Sequence, residues 1–513
     1  MSADALIARF EEEKSRALGD RARRDAGLYY TPPLIAARVV EIALRHGAPS
    51  PGRVLDPCAG AGAFLVAAAR AGLRDLHGLD LDRKALRVAR AALALCGASA
   101  RLRRADALRF TPKRPADLLL SNPPYGHVGE ARERAFLLGA FPALRGGEID
   151  RYAAFLLRAL QLVRPGGTVA LLVPDTWMFL SRAGALRKAI LDQAEVAALV
   201  DLGKPFASAK DTRVQAVVLL RRPAPRALAH VGRGGAALAP VSGEELRAAA
   251  GRGWFVYRSP AEKELCAAMD AASVPLGSAC EVGYGMRTGA NARHVARRPP
   301  AAGEIALLGG EDVIPYGLRW RPKALVHPGP LLALARRQIG VPRIAVQRIR
   351  TNARAPWARW LEAAMAPTDA VCLDSLSTLA SPDADRLWAL LALLQSVPLQ
   401  RYHRLRTTDV NVKPSALREL PVPRVLLQAP WEMAALARER AAAEAQLPQE
   451  AELANELDRR IDACAYRMLA LPPPLVRAAE EGFWGERFVP QFQALERWMS
   501  DPLAKMGRKE GTS

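Results

Sequence analysis

Two patterns of hydrophobic and polar positions divide the chain. In the first, short apolar runs alternate with stretches of helical spacing. Leu6, Phe10 and Leu18 recur among Glu, Lys and Arg over residues 3–18, predicting an amphipathic packing helix. A second helical pattern, 34–45, follows a Pro-stiffened turn. Beyond it, runs opening at Arg53 and covering 76–80, 100–105, 116–121, 168–173, 196–201 and 214–220 have the length and residue types of strands. Helical patterns lie between most of them: an Ala-rich one to residue 73, one behind Asp150 to 163, and one over 184–193. The stretch 126–147 reads as mobile. Alternation of this kind predicts an α/β fold with a seven-stranded, doubly wound sheet.

The second pattern follows residues 222–250, which are rich in Ala, Pro, Gly and Arg and read as a linker or loosely ordered crossing. A helix is predicted over 259–271, then short irregular segments with strand character, among them 280–286 and 344–346. Helical patterns return at 385–399 and over 430–469, the latter with paired charges suited to a bundle. The expected layout is an N-terminal helix (1–26), an α/β domain (27–225), a linker (226–258), an α+β domain (259–425), a helical region (426–504) and a disordered tail (505–513). No internal repeat is visible.

Composition narrows the class. A chain of 513 residues exceeds the size of one core, so several domains are expected. Lys and Arg number 73 against 52 Asp and Glu, a formal charge of +21, which favours a polyanionic partner, nucleic acid before anionic membrane. An arginine-rich coding background would leave the same excess. The six cysteines form no Cys-x-x-Cys pair or Cys/His cluster, which argues against a metal centre or a disulfide framework and fits a reducing cytoplasm. Without a signal-peptide core or an apolar run of membrane-span length, a soluble intracellular protein is expected.

The candidate chemistry centres on Ser121-Asn122-Pro123-Pro124-Tyr125, where the fourth strand stops at two prolines that pin the backbone. The Asn122 carboxamide oxygen and the Pro123 carbonyl can accept both hydrogens of an exocyclic amino group, freeing a lone pair otherwise delocalised into the ring. Tyr125 can stack on an extruded base. The same residues also suit a plain loop behind a buried strand.

Three upstream strand ends change that balance. Asp56-Pro57-Cys58-Ala59-Gly60-Ala61-Gly62 is a small-residue loop opening a helix, where a backbone can approach a ligand. Asp80 ends the second strand, placed to accept from ribose hydroxyls. Asp106-Ala107 ends the third, with an acid suited to an adenine amino group or to a turn. A NAD-binding unit fits nearly as well. The incomplete Gly-x-Gly-x-x-Gly and the position of Asp56, suited to a cationic amino-acid tail, favour a sulfonium cofactor. Tyr30-Thr31-Pro32 could cover that cofactor, with Thr31 alternatively a helix cap. Phe206 could form a second wall opposite Tyr125 or anchor its own loop. In the second pattern, arginines interleave with aromatic and polar groups, including Arg287, Arg293, Tyr316, Arg343, Arg348, Arg350 and Asn352, a composition suited to phosphates and base edges.

In order and spacing, these motifs resemble the N6-adenine DNA methyltransferases of the Taq I type. The resemblance covers nearly the whole chain: Tyr30-Thr31-Pro32-Pro33, Asp56 to Gly62, Gly78-Leu79-Asp80, Asp106-Ala107 and Asn122-Pro123-Pro124-Tyr125 in the first part, then Leu276 to Gly289, Leu308 to Tyr316, Lys413-Pro414 before Leu420 to Pro423, and Leu457 to Leu469. It implies a Rossmann-like S-adenosylmethionine-dependent methyltransferase domain, an α+β target-recognition domain and a helical C-terminal segment. Tyr30, Thr31, Pro32, Asp56, Cys58, Ala59, Gly60, Gly62, Asp80, Asp106, Ala107 and Asn122 would then serve the cofactor. Asn122, Pro123, Pro124 and Tyr125 would be catalytic, with Tyr125 and Phe206 stacking on the base. Arg287, Arg293, Arg348, Arg350 and Asn352 would meet double-stranded DNA, placing the protein in the cytoplasm, at the nucleoid. Restriction-modification or phage defence would be the setting. No nuclease-like segment precedes residue 27, so DNA cleavage, if any, would come from a separate endonuclease or defence partner. Cytosine N4, RNA bases and protein glutamine remain alternative acceptors for the same turn.

Overall fold

The structure is a computed structural model, describing residues 2–26, 31–47, 52–146, 149–203, 205–206, 213–223, 227–233, 239–251, 253–254, 260–327, 329–348, 359–406 and 411–488. Two compact units divide the chain, Met1–Arg258 and Ser259–Ser513. Among the described residues no helix is long and apolar enough to cross a membrane.

The first unit runs α1 (Ala3–Ala26), α2 (Pro33–His46), β1 (Arg53–Asp56), α3 (Ala63–Arg70), β2 (Asp75–Asp80), α4 (Arg83–Leu95), β3 (Ala100–Arg104), β4 (Ala116–Ser121), α5 (Ala131–Ala140), α6 (Arg151–Leu162), β5 (Val163–Pro174), α7 (Thr176–Phe179), α8 (Gly184–Gln193), β6 (Glu195–Gly203), β7 (Val214–Leu220), β8 (Leu228–Arg233), β9 (Ala239–Ser242) and α9 (Gly243–Ala249). The sheet order is β3-β2-β1-β4-β5-β7-β6-β8-β9. β1 pairs in parallel with β2 and β4, β4 with β5, and β7 runs antiparallel between β5 and β6. Leu118, Leu119 and Leu120 of β4 are buried, as a central strand covered on both faces demands. Truncating Leu119 would cost about 2–5 kcal/mol. Helix starts follow sequence signals: Asp82 caps α4 and Asp150 caps α6, each accepting from amides of the first turn.

Two expectations need correction here. The described residues within 222–250 are no loose linker. β8 pairs in parallel with β6 and antiparallel with β9, making nine strands, and buried Arg187 on α8 donates to the carbonyl of Ala250 at 2.7 Å. Their Ala/Pro/Gly/Arg content hid two strands whose order comes from pairing to an existing edge. Residues 126–147 are also ordered through most of their length. α5 lies there, and Glu133 takes a two-pronged ion pair from Arg151.

In the second unit, Glu281–Tyr284, Leu376–Ala380, Arg343–Gln347 and Ala363–Ala366 form one antiparallel sheet in that order. Val295–Ala296, Ala324–Leu325, Ile305–Leu308 and Ala370–Cys372 form a second. The expected helix 385–399 is two, Ala384–Gln395 and Val397–Arg406, because Pro398 starts a new first turn. The stretch 430–469 likewise breaks, at Pro448, into Trp431–Ala445 and Ala451–Met468. The tail after 505 lies outside the described residues.

Candidate active site

The carboxyl ends of β1, β2 and β4 meet at one edge of the first unit's sheet. The loop after β1 bends tightly, with Gly60 at φ +50° and Gly62 at +95°, both in the left-handed region glycine adopts freely. A Cβ on Gly62 would sit 2.9 Å from that of Ala89 on α4, so this glycine also permits close helix packing. A Cβ on Gly60 would approach only Glu11 Oε1, at 3.8 Å, among the described residues. The bare backbone therefore leaves a cradle between the loop and α1.

Acids hold this loop. Asp80 accepts from the Gly60 amide at 2.8 Å through one oxygen and from the Asp82 amide at 2.8 Å through the other. The Ala59 amide donates to the Leu79 carbonyl at 2.8 Å. Asp56, 1% exposed, accepts from the Cys58 amide at 3.0 Å and the Ser121 hydroxyl at 2.7 Å. Burial nevertheless pushes its carboxyl up to about 7, against the pull of those two bonds. Burial also pushes up the Cys58 thiol and the Glu11 carboxyl, with Asp80 adding to the Glu11 shift and Lys14 opposing it.

At the end of β4, Pro123 and Tyr125 are buried, whereas Asn122 and Pro124 are half-buried. Asn122 donates from Nδ2 to Thr31 Oγ1 at 2.9 Å, and the Tyr125 hydroxyl donates to Asn122 Oδ1 at 2.5 Å. The Leu172 carbonyl on β5 lies 3.1 Å from the same hydroxyl. Behind the turn, Asp150 accepts from the Gly126 amide at 2.9 Å, so one carboxylate caps α6 and fixes the exit from Tyr125. The Tyr125 ring stands edge-on to Tyr152 and tilted by 58° to Phe206, with both centroids 6.3 Å away.

With this geometry in hand, the sequence profile of the N-6 DNA methylase family matches residues 15–226. Type II methyltransferase M.TthHB8I of Thermus thermophilus is 30% identical over 310 residues, which cover 57% of this chain and 67% of that one. The chain belongs to the N-6 DNA methylase family. Type II methyltransferase M.VspI of a Vibrio species is 28% identical over 195 residues, 37% of this chain and 47% of its own, so the chain spans under half of that relative. Among solved structures, the type IIL restriction-modification enzyme MmeI in complex with DNA shares the fold at a TM-score of 0.63 and 12% identity, over 97% of this chain and 82% of that one.

Within this N-6 DNA methylase, Asp56, Cys58, Ala59, Gly60, Gly62, Asp80 and Asn122 gather at one sheet edge, joined to Thr31 through the Asn122 bond. Thr31 does not cap α2: the cap position belongs to Pro32, and no side chain serves it. Asp106 behaves as a turn acid, accepting from the Leu108 amide at 3.0 Å with Arg109 beside it at 3.4 Å. Ala107 is buried, its carbonyl taken by Arg158. Tyr30 lies outside the described residues. Phe206 and Tyr125 come together but are 3% and 4% exposed, and their tilt leaves no parallel slot for a base.

Sequence reasoning did not single out Glu11 or Tyr152, and read Asp150 only as a helix cap. The first sits in an ordinary amphipathic pattern, and the others at a helix start whose capping signal concealed a second task.

In the second unit, Arg287 and Arg293 are exposed, and the Arg348 guanidinium lies 5.5 Å from the centre of the half-exposed Tyr284 ring. Arg350 and Asn352 fall outside the described residues. Arg343 is instead buried, bonded to the Ala370 carbonyl at 3.3 Å, and Tyr316 is buried beneath Arg440. Neither belongs to a nucleic-acid surface; both hold the unit together.

Proposed function

We propose that this protein transfers a methyl group from S-adenosylmethionine to N6 of an adenine extruded from duplex DNA, within a restriction-modification or phage-defence setting. The observation that carries this reading is the Asn122 carboxamide at the end of β4, on the same sheet edge as the Asp56 and Asp80 loop. The fit to the cofactor rests on that loop. Gly60 leaves a cradle, Asp80 keeps lone pairs beyond its two amide bonds, and a buried acid of raised pKa at Asp56 favours a cationic neighbour. The cofactor, when bound, supplies a sulfonium methyl, so that an N–C bond forms as an S–C bond breaks and a neutral thioether leaves.

The chain's own residues orient the amine. Asn122 Oδ1 can accept one amine hydrogen, and the Pro123 carbonyl can take the other. Hydrogen bonds to both hydrogens favour a pyramidal, sp3-like nitrogen and so free its lone pair from the ring, and the proton is lost to water after transfer. Stacking requires Tyr125 or Phe206 to turn from its present tilt. Arg287, Arg293 and Arg348, with Arg350 and Asn352 from the sequence, would meet DNA.

Long-read sequencing of genomic DNA from cells making either this protein or its Asn122→Ala variant tests the proposal. N6-methyladenine at one short motif, lost with the variant, is expected. N4-methylcytosine instead, or modified RNA or protein with unmodified DNA, would move the assignment to that acceptor.

A further inference from the structure

A carboxamide is nearly symmetric in shape and opposite in chemistry at its two ends. Its terminal torsion is roughly two-fold, so rotation by half a turn exchanges acceptor for donor. Only the oxygen can receive the hydrogens of an incoming amine, and a reversed amide would set N–H against N–H. Pro123 pins the backbone of Asn122 but has no hold on this choice.

The two flanking hydroxyl contacts do distinguish the ends. The Tyr125 hydroxyl donates to Oδ1 at 2.5 Å, and Nδ2 donates to the Thr31 hydroxyl at 2.9 Å. Oxygen therefore faces Tyr125 and nitrogen faces Thr31. Thr31 is 6% exposed, is followed by two prolines and is unused as a helix cap, so its hydroxyl stands rigidly at the amide's far end. We propose that Thr31 is a positioning residue for Asn122: by accepting the carboxamide NH2, it keeps Oδ1 turned toward the target amine. This rests on the methyl-transfer reading above.

Thr31→Val keeps the shape and removes the acceptor. At saturating DNA and cofactor, kcat should fall about tenfold, the scale of one lost hydrogen bond, and Thr31→Ser should restore it to within about twofold. In an Asn122→Asp background both ends accept, so Thr31→Val should change kcat by less than about twofold there. A wild-type kcat in Thr31→Val, or an equal loss in both backgrounds, would overturn the proposal. A second readout needs no turnover. The chain has five asparagines, so side-chain amide spectra of 15N-asparagine-labelled protein are sparse, and Asn122→Ala assigns one NH2 pair. Thr31→Val should shift that pair and speed its exchange while leaving Asn291 and Asn455 unmoved; an unmoved Asn122 pair overturns the proposal. If wild-type protein methylates no DNA, the reading beneath falls, while the spectra still decide the contact.

Discussion

Two halves of one sheet edge are built in contrasting ways. After β1 and β2, carboxylates are spent on backbone amides: Asp80 spans Gly60 and Asp82, and Asp56 holds Cys58. After β4, the reactive group is a neutral amide framed by hydroxyls and rings. Under the proposed reading, the first half would hold a cation and hydroxyls. On the same reading, the second would admit a flat, uncharged base, and an unpaired charge buried there would cost more in lost hydration than it returned. Under that proposal the contrast teaches that the cofactor half would stand preformed, whereas the target half, with Tyr125 and Phe206 both buried, would have to open.

The sharpest way to break this contrast is Asn122→Ala. It should lower single-turnover methyl transfer by about a hundredfold or more, as for other preorganised groups at a reacting atom, and weaken cofactor affinity far less. Comparable losses in both would mean that the halves are not separate.

Asp56 tests the cofactor half through pH. Its carboxyl rises from an ordinary 3.8 to about 7 on burial, so its contribution to stability is full below the unfolded value and is lost as pH rises through about 7. A cationic ligand tail favours the ionised form. Cofactor affinity should therefore fall as pH drops below about 7, with a proton released on binding, measurable by calorimetry in buffers of different ionisation enthalpy. Asp56→Asn should flatten the profile; a flat wild-type profile would remove Asp56 from cofactor binding.

Smaller effects belong to the target half and the second unit. Tyr125→Ala should weaken capture of the flipped base by about 1–3 kcal/mol, read from the fluorescence of 2-aminopurine at the target position. Arg287→Ala should weaken DNA binding a few-fold and reduce the salt slope by about one; an unchanged slope would mean Arg287 meets no phosphate.

Much of the first unit is legible in sequence because its strands are continuous apolar runs that end in acids or prolines, as at Leu118 to Pro123. β8 and β9 were hidden because an edge strand needs only a partner, and Ala, Pro and Gly conceal that ability. The contact of Asn122 with Thr31 spans 91 residues, a closure that no local pattern encodes. In the second unit, interleaved arginines looked alike in sequence. Only the fold separates buried Arg343 from exposed Arg287 and Arg293.

The extension of the sheet by β8 and β9 bears on how the protein can be cut. Residue 226, where the family profile stops, is a tempting place to end a catalytic fragment. That cut would strip β8 from Ala198–Asp201 and leave β6, buried through most of its length, as a bare hydrophobic edge. Such an edge is a template for intermolecular pairing. A fragment ending after α9 and Trp254, whose indole packs against Trp177 at 5.3 Å, keeps that edge covered and is the one to express.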